Sequence, residues 1–236
     1  MFNSLTRDTL SDQVARQLLD FIVAQELKPG ARLPSELKLT QAFQVSRPVI
    51  REALRSLAGK SVIEIVNGKG AIIKPLNAQP LGLFFQRALQ IEQGSILEIL
   101  EVRQGLEMQS ARLAAERRTD EERAGMTDIV EAMRKHLHNA DRYVNLDVEF
   151  HVRIAQATHN AILHHIITSI RTALADAIRE GLRRQNSTEA RQTVQATHEA
   201  ILEAIARGDG PSAERAMLAH FENAVHAIMN VDRQPG

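Results

Sequence analysis

The sequence predicts a mainly α-helical chain in two parts, a small helical module carrying a β-hairpin and a larger all-α bundle, and three observations support this. Residues 32–70 read RLPSELKLTQAFQVSRPVIREALRSLAGKSVIEIVNGKG, which lays out two short helices followed by two β-rich runs around glycines. From Ser95 onward every apolar pattern has the helical period, and no strand-like alternation appears. Between the two parts, Pro75, Pro80, Gly82 and Gly94 interrupt the periodicity. The expected organisation is therefore a first domain over 1–75, a packed linker over 76–94 and a second domain over 95–230.

Each element of the first part follows from local chemistry. Val14, Leu18, Phe21 and Ile22 form an amphipathic stripe on a helix over 11–25, which Lys28-Pro29-Gly30 ends. Pro34 and Ser35 begin a shorter helix carrying Leu37, Leu39 and Phe43, and only Gln44 and Val45 separate it from Ser46. Ser46 is a natural N-cap for a helix over 46–59, with Arg47 and Pro48 in the first turn, where a missing N–H costs little. Ile50, Leu54 and Leu57 gather on one face of that helix, whereas Arg47 and Arg51 lie four apart on another. Two helices joined this tightly must cross steeply, as in a helix-turn-helix, whose second helix presents its N-terminal residues to base edges. After it, Val62, Ile63, Ile65 and Val66, then Asn67-Gly68-Lys69-Gly70, then Ala71, Ile72 and Ile73 spell a hairpin, the wing of a winged helix-turn-helix. Glycines at its tip let backbone approach phosphate or a minor groove closely, and Lys69 adds charge.

Charge is distributed to match. The 236 residues are formally neutral, yet residues 1–75 hold 11 Lys+Arg against 7 Asp+Glu, a net +4, so the remainder carries 18 against 22, a net −4. Phosphate neutralisation dominates affinity for DNA, so a positive first module matters more than the neutral total. The absence of cysteine excludes disulfides, thiol catalysis and thiolate metal ligands. No opening segment resembles a signal peptide or membrane span, which points to a cytoplasmic protein with no membrane partner.

In the second part, helices are expected over 95–117, 120–138, 140–157, 160–184, 188–207 and 211–230, with Leu81, Leu83, Phe84 and Phe85 adding a short one in the linker. Thr119 and Glu122 make a capping box; Gly208 and Gly210 stop one helix, and Pro211 starts the last. Asp147 and His151, four apart, share a helix face, and His198 and His220 sit on later helices. Three imidazoles and a carboxylate suit a divalent metal, zinc first, with nickel, manganese and iron as alternatives. An Asp/His pair at this spacing is also common as a plain surface hydrogen bond, and a metal with an open coordination position would equally serve a hydrolase. His136, His138, His159, His164, His165 and His226 form no helical clamp. Asn223, three residues beyond His220, offers a further polar contact on that face.

The order of KPGARLPSE, VSRPVIREAL and NGKG over residues 7–75 resembles the DNA-binding domain of the GntR family of bacterial transcription regulators. The resemblance implies that Ser46, Arg47, Val49 and Arg51 face the operator, with Gly68 and Lys69 at the wing. Family members often carry a basic residue after PSE; here Leu37 follows, then Lys38, which would take over that backbone contact. Further on, LEVRQGLEMQSARLAAER, DVEFHVRIAQATHN, THEAILEAIARGD and AMLAHF are similar to the FCD ligand-binding domain of the FadR-like subfamily. In metal-binding members an Asp and a His four apart plus two later His are ligands, which carries over to Asp147, His151, His198 and His220. By the same resemblance Arg103 pairs with an effector carboxylate; read without it, Arg103 and Glu107 are an ordinary i, i+4 surface pair. The expected protein is a homodimer on a palindromic operator in double-stranded DNA, answering to a small hydroxy, keto or sugar acid, with Phe84 and Phe85 in the stretch through which the response passes.

Overall fold

The computed structural model describes residues 9–91, 95–185 and 188–231. The chain divides into two compact units, residues 1–80 and 81–236.

In the first unit, α1 (Leu10–Ala24) starts from a capping box in which the Thr9 hydroxyl accepts from Asp12 N and the Asp12 carboxylate accepts from Thr9 N. Val14, Ala15 and Leu18 of α1 are buried against Ile50, Ala53, Leu54 and Leu57 of α3 (Arg47–Gly59). Complete burial of residues such as Ile50 and Leu57 stabilises by about 1.5–3 kcal/mol each, a large share of a small domain's stability. Phe21, expected in the buried stripe, is instead 40% exposed. The shorter α2 (Glu36–Phe43) is capped by Ser35, whose hydroxyl accepts from Lys38 N. Gln44 then takes a left-handed conformation at φ 52, which turns the chain into α3 within two residues. Ser46 occupies the N-cap of α3 with extended backbone, but its side chain makes no capping hydrogen bond.

The wing is β1 (Ile63–Val66) paired antiparallel with β2 (Gly70–Ile73), in the register Ile63↔Ile73 to Val66↔Gly70. Gly68 at φ 74 and Gly70 at φ 82 supply the positive angles that this three-residue connection needs. Its other edge holds a feature absent from the sequence reading: Leu33 N donates to Ala71 O and Ile73 N to Ala31 O, both at 2.9 Å, with a bridge between Arg32 and Ile72. Three residues ahead of a proline are too short a run to show strand periodicity.

The second unit contains α4 (Gln79–Ile91), α5 (Ser95–Arg117), α6 (Asp120–Lys135), α7 (Ala140–Ala157), α8 (Ala161–Gln185), α9 (Thr188–Ala206) and α10 (Gly210–Val231). Its core joins Ala111 and Ala114 of α5, Met126 and Met133 of α6, Phe150 and Ile154 of α7, Ile201 and Ile205 of α9, and Met217 and Phe221 of α10. The stretch expected as linker thus contains a full helix, α4, whose Phe85 and Leu89 rest on Ile99, Ile170 and Leu174. Gly208, at φ 71, does end α9, but Gly210 opens α10 rather than stopping a helix. A Cβ there would lie 3.1 Å from Arg112 Cγ and Glu116 Oε1, so the glycine lets α10 pack closely on α5. Among the described residues no helix is long and apolar enough to cross a membrane.

Candidate functional sites

Asp147 and His151 are one turn apart on α7, His198 comes from α9 and His220 from α10, and all four are buried. Each offers one ligand atom, and these atoms lie within 4.8 Å of one another. His151 Nε2 is 3.3 Å from His198 Nε2, and Asp147 Oδ1 is 3.0 Å from His198 Nε2 and 3.8 Å from His151 Nε2. Two ligands of one ion at about 2.0–2.2 Å stand roughly 3–3.5 Å apart, so these spacings suit a shared cation.

The outer nitrogens of the three rings decide which tautomer each adopts. Thr197 Oγ1 donates to Val194 O and therefore accepts from His220 Nδ1 at 2.9 Å. Tyr143 OH lies 3.4 Å from both Gln195 Oε1 and His198 Nδ1, so donating to the first leaves it to accept from the second. His151 Nδ1 is 2.5 Å from Glu107 Oε2, a close but poorly aligned approach to an oxygen that can only accept. Each partner places the proton on Nδ1 and leaves Nε2 with a lone pair. Bare lone pairs at 3.3 Å repel unless a cation or a proton sits between them, and so this donor set fits a divalent metal.

Protonation agrees. Burial, then the Arg171 cation, bring His151 down to about 4, against the pull of Glu107. Burial and the neighbouring His198 and His151 hold His220 well below the ordinary histidine range. Burial opposes ionisation of Asp147, yet the Arg171 guanidinium beside it holds its carboxyl well below the usual range. Neutral imidazole and ionised carboxylate are the forms that ligate a metal.

Arg103 is 3% exposed, its Nε donating to Glu107 Oε1 at 2.8 Å and its guanidinium lying 5.2 Å from the Phe221 ring centre. The i, i+4 pair read from the sequence is thus present, but inside the bundle. Among the described residues the remaining Arg103 N–H groups have no hydrogen-bond partner. Arg171 of α8, which the sequence reading passed over, is fully buried and bridges two carboxylates: Nε and Nη2 reach Glu107 at 2.8 and 2.5 Å, and Nη1 reaches Asp147 Oδ2 at 2.8 Å. Its signal was available, since Arg171 interrupts the buried stripe Ile167, Ile170 and Leu174, where a charge needs partners. Asn223 is exposed.

On the first unit, Lys38, Ser46, Arg47, Arg51, Gly68 and Lys69 are all exposed, and Val49 is half-buried against the core. Arg51 Nε donates to Glu36 Oε2 at 2.9 Å, tying the second helix of the motif to the first. Leu37, at the position where a basic residue is common, is 53% exposed.

Residues 10–73 match the family model described as bacterial regulatory proteins, gntR family, and residues 98–223 match that of the FCD domain, more than half of the chain. The HTH-type transcriptional regulator LutR of Bacillus subtilis (strain 168) is 33% identical over 203 residues, spanning 84% of this chain and 91% of LutR. The chain belongs to the GntR family. A second GntR-type relative, the HTH-type transcriptional repressor NanR of Enterobacter sp. (strain 638), is 33% identical over 234 residues, 94% of this chain and 86% of NanR. Among solved structures, Streptococcus agalactiae GntR superposes with a TM-score of 0.72 at 27% identity, covering 92% of this chain and 99% of that one. These relatives are regulators, which removes the hydrolase alternative: this GntR member is a DNA-binding transcription regulator with an FCD domain, not an enzyme.

Proposed function

We propose that this regulator's operator affinity is controlled by a small organic acid bound beside a divalent metal in the second unit. The metal is held by Asp147, His151, His198 and His220, with zinc the first expectation among zinc, nickel, manganese and iron. The observation that carries this is the buried set of three imidazoles whose outer nitrogens each face an acceptor oxygen, with the inner ones converging on an ionised carboxylate. Beside it Arg103 has guanidinium N–H groups without a hydrogen-bond partner among the described residues, and a guanidinium fork suits a carboxylate. A bound metal supplies Lewis-acid affinity for that carboxylate. DNA is contacted by Ser46, Arg47, Val49 and Arg51, with Gly68 and Lys69 at the wing and Lys38 on the backbone; Asn223, being exposed, is kept only as a rim contact.

The protein works as a homodimer, because one winged helix covers a half-site and tight binding takes two on a palindrome. Support comes from α4, which has no buried residue and exposes Leu83, Phe84 and Ile91, apolar surface that a second copy would cover. Protein purified without chelator is expected to hold about one metal per chain by elemental analysis, and His198→Ala and His220→Ala to lose it. A screen of organic acids should raise the melting temperature of the metal-loaded form. Equal metal content in wild type and both variants would refute the site, and an acid that stabilises metal-free protein equally well would reduce the metal to a structural clamp.

A further inference from the structure

Arg171 and Glu107 belong to none of the ligand sets above, yet they are among the most deeply buried charges in the second unit. A guanidinium in that position is costly by itself, and its neighbours along α8, Ile167, Ile170 and Leu174, show that an apolar side chain would fill the stripe. Arg103 and Arg171 against Glu107 and Asp147 make two cations and two anions, so the group balances without a net charge. What sets Arg171 apart is the division of its fork. Nε and Nη2 take both oxygens of Glu107, while Nη1 takes only Oδ2 of Asp147. The other Asp147 oxygen, Oδ1, is therefore the one turned to His198 Nε2 and His151 Nε2. Glu107, held at both oxygens, in turn faces Nδ1 of His151.

We propose that Arg171 and Glu107 are positioning residues for the metal site, Arg171 by selecting the Asp147 oxygen that faces the ligand nitrogens and Glu107 by holding the His151 ring with Nε2 inward. The proposal rests on the metal reading of the same four ligands. Outer partners of this kind fix the orientation and basicity of ligands and are worth about 10–100-fold in metal affinity. Arginine is required because its planar fork serves two carboxylates at once; a lysine keeps the charge and loses the second grip.

The test uses the full-length chain stripped by chelator and titrated with Zn²⁺ against a competing chromophoric chelator, with Co²⁺ absorption as a second readout of the ligand set. Arg171→Lys leaves the local charge unchanged, so any loss reports geometry. Glu107→Gln keeps the shape of the side chain while replacing one accepting oxygen by a donor, and so removes the carboxylate beside His151. Both variants are expected to bind Zn²⁺ about 10–100-fold more weakly, with an altered Co²⁺ spectrum, while the metal-free forms retain wild-type helicity. Folded variants whose Zn²⁺ affinity stays within about twofold of wild type, with an unchanged Co²⁺ spectrum, would overturn the proposal and leave Arg171 a purely structural ion pair. Should Arg171→Lys fail to fold, Glu107→Gln decides alone. A wild type that takes up no metal removes the metal reading itself, a failure distinct from variants that match a metal-binding wild type.

Discussion

Single residues in this protein divide by what their burial forces on them. Asp147 and His151 were legible because a spacing of four on a helix needs no tertiary knowledge, while His198 and His220, candidates on later helices, were tied to them by the resemblance. Arg171 and Glu107 were harder, since periodicity sorts apolar from polar faces and by default assigns a charge to solvent, even one such as Arg171 that breaks an apolar stripe; both proved to be interior, held by each other and by Arg103 and Asp147. The same assumption made Arg103 and Glu107 a surface pair, correct in partner and wrong in place. Burial changes the stakes, since losing one member of a buried pair strands the other at a cost of about 3–5 kcal/mol, against under about 1 kcal/mol at a surface. Removing Arg103 is softened because Glu107 keeps Arg171 on both of its oxygens. Arg103→Ala is accordingly expected to keep its metal and its fold while its thermal response to the organic acid found by screening weakens. Metal analysis and thermal shift on the same preparation check this, and a variant with a normal acid response would take Arg103 out of the binding role.

At the level of elements, local signals carried far because caps and glycines act within a turn. The Thr119–Glu122 box is closed in both directions, Glu122 N donating to Thr119 Oγ1 at 3.1 Å and Thr119 N to Glu122 Oε2 at 2.8 Å. Beyond what sequence showed, His159 at the α7–α8 turn reaches the same carboxylate with Nε2 at 3.1 Å. Burial works against ionisation of Glu122, but the Thr119 N–H and His159 outweigh it and hold its carboxyl below the usual range. The folded state therefore prefers the ionised form, so this contribution is complete above about pH 4.3, where an unfolded glutamate titrates, and fades as pH falls through the lower folded value. Glu122→Gln should cost up to about 1 kcal/mol at neutral pH, with the gap to wild type closing in acid once pH falls below the lowered folded value. Urea unfolding followed by helicity at both pH values measures it, and a gap that persists in acid would assign the effect to packing rather than charge. Elements that depend on distant partners were harder to see, as the pairing of residues 31–33 with β2 and the close approach at Gly210 illustrate.

For the whole molecule, the decisive property is that opposite charge and different chemistry are segregated: a net +4 over residues 1–75 and a net −4 beyond them. DNA is read in one unit and the proposed acid is bound in the other, so control requires that the acid bind the DNA-competent and DNA-incompetent states with different affinity. Such coupling is reciprocal. If the acid weakens operator affinity by some factor, typically about 5–150-fold in such systems, the operator must weaken acid affinity by the same factor. Calorimetric titration of the metal-loaded protein with the acid, with and without saturating operator duplex, should show equal and matching shifts. Arg47→Ala combined with Arg51→Ala supplies the control, because both side chains are exposed and their loss leaves the core intact. That variant should lose operator binding in a shift assay, bind the acid as wild type does, and show no change in acid affinity when duplex is added. Acid affinity in the wild type that is indifferent to operator would mean that the two units are not coupled through this site, whatever the acid does to transcription.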